Sequence, residues 1–279
     1  MSDQTVPIGE PPSPRAVALV ADASAETRAS IREALADQDL EIIEADDGVA
    51  AGEMLLQIRP QVALVNVALP RLSGAEALAR SYAHGLRPFA ILLSNFVLPQ
   101  WIEVSQRVGA AEFLKVPVDA RHVRGLIATA ERAREPIRLL LVAANANERQ
   151  LVRRMLEQSL FAFAIDEIDS GAHAVKLLRA GSYELALIDW NLPVGIDGLE
   201  TACQGIEAAP DTRFLLMASG EIGDFARTAR QFGVGGVLKK PFYGHDVDFA
   251  VHAAFGLRRS YLLNAIRPHL ERQRRAARG

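Results

Sequence analysis

The residue best placed for chemistry is Asp189. It ends the apolar run Leu185–Ala186–Leu187–Ile188, and Asn191, Pro193, Gly195 and Gly198 follow at once. A short apolar run closed by turn residues reads as a strand buried on both faces. A carboxylate at the carboxyl end of such a strand stands where open parallel sheets take their ligands. Carboxylate chemistry and a plain strand-end ion pair are both open at this point.

The same stretch occurs earlier in altered form. Gln61–Gly74 reads QVALVNVALPRLSG, against ELALIDWNLPVGIDG over Glu184–Gly198. Asn66 stands where Asp189 does, 123 residues upstream, and Pro70 to Pro193 and Gly48 to Gly171 keep the same spacing. Gly109 to Gly233 and Pro117 to Pro241 are each 124 residues apart. One unit is therefore repeated twice, and the duplication sets the architecture.

Each copy alternates strand and helix. The strands of the first are expected at Ala16–Ala21, Leu40–Ala45, Val62–Asn66, Phe89–Ser94 and Glu112–Lys115. Those of the second are expected at Ile137–Val142, Phe163–Ile168, Leu185–Asp189, Phe214–Ala218 and Gly236–Leu238. Helices of 3.6-residue period lie between them, among them Asp119–Arg134 and Asn147–Ser159. The alternation argues parallel sheets with right-handed crossovers. Glu135 and Pro136 are all that separates the copies, and Pro136 stops the preceding helix.

With these motifs in order over roughly residues 15–255, each copy resembles a response-regulator receiver domain, the phosphoacceptor module of two-component signalling. The resemblance implies an α/β chain of two tandem flavodoxin-like (βα)5 domains, each with a parallel five-stranded sheet of order 2-1-3-4-5. The expected division is a disordered leader over 1–14, receiver-like domains over 15–134 and 135–256, and an Arg-rich amphipathic tail over 257–279. Four of the first 14 residues are proline, which favours disorder in the leader. In the tail, Leu262, Ile266 and Leu270 recur every four residues among arginines, the pattern of a basic helix, with Pro268 kinking or restarting it.

Receiver chemistry needs a carboxylate nucleophile, a divalent metal held by that carboxylate and two more, a lysine for the phosphoryl group, and a Ser or Thr hydroxyl. In the second copy the resemblance makes Asp189 the phosphoacceptor, with Asn191, Ser219 and Lys240 as its partners; Asn191 would offer a backbone carbonyl to the metal. The acidic pair is lost: the first strand runs into Val142–Ala143–Ala144–Asn145, with Arg149 fixing the register. In the first copy Asn66 replaces the acceptor, and an amide, lacking charge and a free nitrogen lone pair, cannot form the acyl phosphate. Asp22 and Ser94 remain there, but Val116 takes the lysine position, while Lys115, one residue earlier, falls on the opposite strand face. This copy is expected to be chemically silent. No metal is expected at either site; a weak Mg2+ interaction is the most such donor sets allow, and no other cofactor is implied.

Bulk properties narrow the class. Apolar content of 49% and charged content of 23% suit ordinary α/β domains. No apolar run reaches the roughly 18 residues of a membrane-spanning helix, and the N-terminus has no signal-peptide core. The single cysteine, Cys203, excludes an internal disulfide and suits a cytoplasmic protein; its spacing makes it a helix-packing residue. Seven Arg and one Glu give residues 257–279 a charge of +6, which against a total of −3 leaves −9 on the rest.

Three functions follow as expectations. The first is a non-enzymatic two-component adaptor: a tandem pseudoreceiver without its own output domain. It would contact a histidine kinase, a phosphotransfer protein or another receiver, with room for a homodimer. The resemblance assigns such contacts to the face of the fourth helix, fifth strand and fifth helix. The second is a response regulator phosphorylated at Asp189 with weak metal dependence. The third is an anionic-ligand binder, for a cyclic dinucleotide or nucleic acid, through Arg258, Arg259, Arg272, Arg274 and Arg275. Against the second stands the plain reading of Asp189 and Lys240 as a structural ion pair.

Overall fold

The computed structural model describes residues 15–97, 100–220 and 223–266. The expected leader over 1–14 lies outside the described residues, as do Arg272, Arg274, Arg275, Leu270 and Pro268 of the tail. Among the described residues the first repeat runs β1 (Ala16–Ala21), α1 (Ala25–Ala34), β2 (Leu40–Ala45), α2 (Gly48–Gln57), β3 (Val62–Asn66), α3 (Gly74–Ala83), β4 (Phe89–Ser94), α4 (Trp101–Arg107), β5 (Glu112–Lys115) and α5 (Ala120–Arg134). The second runs β6 (Ile137–Val142), α6 (Ala146–Leu156), β7 (Phe163–Ile168), α7 (Gly171–Ala180), β8 (Leu185–Asp189), α8 (Gly198–Ala208), β9 (Arg213–Ala218), α9 (Gly223–Gln231), β10 (Gly236–Lys239) and α10 (Gly244–Ala254).

Two parallel five-stranded sheets result, β2-β1-β3-β4-β5 and β7-β6-β8-β9-β10, both of the expected order 2-1-3-4-5. Their central strands carry the core on both faces, which is why they read as unbroken apolar runs. In β6, Leu139 and Leu141 pack with Val152 and Leu156 of α6 and with Val247 and Val251 of α10. Leu140 and Val142 face the other way, onto Ala174 and Leu178 of α7 and Ala202 of α8.

Chain contacts divide the molecule into two compact units. One takes the chain up to Phe96 with Leu114–Ala120; the other takes Val97–Phe113 with the chain from Arg121 onward. The second unit thus holds α4, the start of β5 and α5 as well as the second repeat.

Caps place the helix starts. Ser24 accepts from Thr27 N–H, Asp47 from Val49 and Ala50 N–H, and Asp197 from Glu200 N–H; Ser73 and Glu76 form a reciprocal capping box. The expected boundaries of β9, β10 and the start of α5 shift by one residue, and the largest difference is at the end of α6. The helix expected to run to Ser159 ends at Leu156. The N–H groups of Gln158 and Ser159 close tighter turns onto the carbonyls of Met155 and Leu156, and the Leu160 N–H, which would have to reach Leu156 for the helix to continue, donates instead to Asp248 Oδ1 of α10 at 2.8 Å, beside the Ser159 hydroxyl at 2.5 Å.

Candidate functional site

The second-repeat site is built at the carboxyl edge of its sheet. Asp189 ends β8 with its side chain only 5% exposed. Its backbone position is set by a close approach: a Cβ on Gly198, the first residue of α8, would lie 2.0 Å from the Asp189 carbonyl oxygen. Only glycine lets α8 start against the site residue. Gly74 stands in the same relation to Asn66, at 2.1 Å.

Lys240 follows β10, and its N–H donates to the Ala218 carbonyl at the end of β9, at 2.8 Å. From there Nζ donates to Asp189 Oδ1 at 2.7 Å. The same ammonium group also donates to Glu148 Oε1. Asn191 N–H donates to Asp189 Oδ1 at 3.2 Å. Ser219 is exposed just past β9, and among the described residues no hydrogen bond joins it to Asp189 or Lys240. Asp189, Lys240 and Asn191 are therefore brought together, and Ser219 stands apart from their bonds.

Glu148 is the residue that sequence reasoning missed. It lies in the first turn of α6, which begins because Asn145 Oδ1 accepts from the N–H groups of Asn147 and Glu148, at 2.8 and 3.3 Å. Asn-x-x-Glu has the spacing of a capping pair, whose Glu turns back on the cap residue; here the carboxylate crosses to Lys240. The strand end with no acidic pair is held by Arg149, which donates to the carbonyls of Ala143 and Ala144 at 2.6 and 3.2 Å. Trp190 packs edge-on to Phe225 of α9, with centroids 4.6 Å apart.

This donor set does not fit Mg2+, which wants near-octahedral oxygen ligation. Alanines stand at 143 and 144, and both nearby carboxylates bond the lysine. Among the described residues no group of three His, Cys, Asp or Glu side chains is arranged to hold a metal.

In the first repeat the corresponding site is closed by an amide. Asn66 Nδ2 donates to Asp22 Oδ2 at 2.7 Å, and Asn66 Oδ1 accepts from Ala68 N–H at 2.9 Å. Asp22 Oδ1 accepts from Ser24 N–H at 2.8 Å. Both side chains are buried, as is Ser94, whose hydroxyl accepts from Phe96 N–H at 3.3 Å. Lys115 is exposed and Val116 half-buried. The buried Asp22 carboxylate is thus met by neutral donors.

Of the five candidate arginines of the tail, two fall within the described residues, and both have internal partners. Arg258 Nε donates to His122 Nδ1 at 2.7 Å, and the Arg259 guanidinium lies 4.4 Å from the Phe249 ring centroid.

The family model of the response regulator receiver domain matches this chain twice, over residues 18–128 and 139–251. The chain belongs to the response regulator receiver family. Both repeats are receiver domains of two-component signalling, and in each the Xaa-Pro bond after the fifth strand is cis, Val116–Pro117 and Lys240–Pro241. Among curated proteins, the chain is 27% identical over 119 residues to the response regulator UvrY of Escherichia coli O6:H1, covering 43% of this chain and 54% of that protein. It is 31% identical over 104 residues to a protein-glutamate methylesterase/protein-glutamine glutaminase of Thiobacillus denitrificans, covering 36% of this chain and 29% of that protein. It therefore spans about half, or less, of the length of these relatives. A solved probable two-component response regulator/GGDEF domain protein superposes with a TM-score of 0.64 at 19% identity, over 87% of this chain and 98% of the other. A second structure of a putative protein of that description gives 0.62 at 19% identity, over 86% of this chain and all of the other. At that identity the likeness is one of fold. No helix among the described residues is long and apolar enough to cross a membrane.

Proposed function

We propose that this chain is a cytoplasmic signalling adaptor, a tandem pseudoreceiver that works by protein contacts and does not turn over phosphate. The observation that carries this reading is the position of Lys240 between Asp189 and Glu148. In a working receiver the lysine charge meets the incoming phosphoryl group. Here two internal carboxylates already meet it, and alanines hold the places of the metal-binding acids. Asn66 removes the acceptor from the other domain. The partners that suit such a protein are a histidine kinase, a phosphotransfer protein or another receiver. The reading is non-enzymatic.

The test is intact mass after incubation with acetyl phosphate or phosphoramidate, with and without Mg2+, for the wild type and Asp189→Asn. The expected result is no adduct under any condition. A labile phosphate adduct confined to the wild type would overturn the proposal. It would support the second reading, a response regulator phosphorylated at Asp189. That reading is favoured by one specific observation: the acceptor carboxylate and the lysine stand 2.7 Å apart, as an acyl phosphate site requires.

A further inference from the structure

Glu112 and His122 are fully buried polar groups that the receiver sites do not use. Within the second compact unit they meet the segment that follows α10. Glu112 Oε2 accepts from Tyr261 N–H at 2.6 Å and Oε1 from Leu262 N–H at 3.0 Å. His122 Nε2 lies 2.8 Å from Glu112 Oε2, and His122 Nδ1 accepts from Arg258 Nε at 2.7 Å. The bonds fix every proton: Arg258 can only donate, so Nδ1 is the acceptor and Nε2–H donates to the carboxylate. The positive charge in this chain of bonds is that of Arg258. The Tyr261 ring stacks on the His122 ring, with centroids 4.2 Å apart. Ser260 Oγ accepts from Leu263 N–H at 2.9 Å and starts the helical turn over 261–266.

A second feature of α5 has the same explanation. Gly125 sits inside this helix, where glycine costs about 1 kcal/mol relative to alanine. A Cβ there would lie 2.7 Å from Cδ and 2.9 Å from Cβ of Arg258. The glycine makes room for the arginine.

We infer that Glu112, His122 and Gly125 form a latch that holds residues 258–263 and lets them go without unfolding the sheets. The seat is polar. A carboxylate and an imidazole that lose the amides and the guanidinium can take water instead, so the vacated state is hydrated. A seat meant only for stability is better served by apolar contacts, because a buried carboxylate carries a desolvation cost. The apolar part of the contact is carried by Leu262 and Leu263, both buried, while Tyr261 is 51% exposed.

Amide hydrogen exchange and limited trypsin digestion of the full chain test this, for the wild type, Glu112→Gln and Gly125→Ala. In the wild type, amides 261–263 should exchange through an opening that leaves β6 and β8 protected. Glu112→Gln replaces one acceptor oxygen with a donor. Gly125→Ala pushes on Arg258 while improving the helix propensity of α5, so it keeps the test open if the first variant fails to fold. Glu112→Gln, if it folds, should speed exchange at 261–263 by about tenfold or more, since a hydrogen bond to a charged acceptor is worth at least that factor in an opening equilibrium, and Gly125→Ala should speed it by about tenfold through the loss of the charge-assisted bond from Arg258 to His122. Trypsin should then cut after Arg258 and Arg259 while the sheets stay protected. Exchange at 261–263 that occurs only with global unfolding, or a Gly125→Ala protein as protected there as the wild type, would overturn the latch.

Discussion

One ammonium group between two carboxylates decides how the second site behaves. Lys240 is bonded to Asp189, which is nearly fully buried, and to Glu148, whose side chain is 26% exposed. The two partners are therefore unequal. Lys240→Met leaves Asp189 buried beside a second carboxylate with no cation between them, and should cost about 2–3 kcal/mol by urea denaturation, somewhat less than the roughly 3–5 kcal/mol of breaking a fully buried pair because part of this one is solvated. Glu148→Gln leaves the Asp189–Lys240 pair intact and should stay within about 1 kcal/mol of the wild type. Equal losses for the two variants would mean that the cluster does not have the asymmetry its burial implies. Asp189, Lys240 and Asn191 were legible in the sequence, because a strand end, a Lys-Pro pair and a turn residue each have local signatures. Glu148 was not: a first-turn acid near an Asn cap looks like a helix cap, and nothing local says that its carboxylate crosses to a loop 92 residues away.

At the scale of elements, the contact between α6 and α10 carries a pH dependence. Burial pushes the Asp248 carboxyl of α10 up to about 6 from an ordinary 3.8, against the lowering effect of its bonds from Ser159 and Leu160. Between those values the folded chain keeps a proton that the unfolded chain has released. This contribution to stability is present below pH ~4 and is lost as pH rises through about 6. Asp248→Asn should remove the slope. The variant should match the wild type near pH 4 and exceed it at pH 7 by on the order of 2–3 kcal/mol in chemical denaturation. His252, one turn further on, contributes with the opposite sign. Its ring Nδ1 is 2.7 Å from the Asp248 carbonyl oxygen, and burial lowers its pKa from an ordinary 6.5. Its share of stability is lost as pH falls below that range, so it stays in both proteins and cancels in the comparison. The same contact explains why α6 stops three residues short of its periodic pattern: the pattern reports which residues are apolar, whereas the end was set by a carboxylate on another helix.

For the whole molecule, the division of the chain does not fall where the repeat does. The repeat places the junction at Glu135–Pro136, yet α5 sits in one compact unit with the second sheet. Arg132 near the end of α5 donates to Glu184 Oε1 at 2.6 Å and lies 4.9 Å from the Phe255 ring centroid. Cutting the chain at the junction removes these contacts and uncovers Glu112. Each fragment should therefore melt about 5 °C or more below the intact chain by calorimetry, the shift expected for a kilocalorie or so in domains of this size. Fragments as stable as the intact chain would show that the junction is a free linker.

The duplication, the edge of each sheet where a site could stand and the difference between Asn66 and Asp189 are readable along the chain, and the strand order followed from the family resemblance. These are written in short stretches, as apolar runs with their closing residues, and a parallel sheet with right-handed crossovers leaves little freedom beyond them. Which charges meet is set by packing. Lys240 found Glu148 as well as Asp189, Asp22 found an amide donor, and Glu112 found the backbone of residues 261 and 262, 149 and 150 positions further on. A charged side chain on a helix or a strand end carries no local mark of its partner, because that partner is chosen by packing and by the cost of leaving a buried charge unmet.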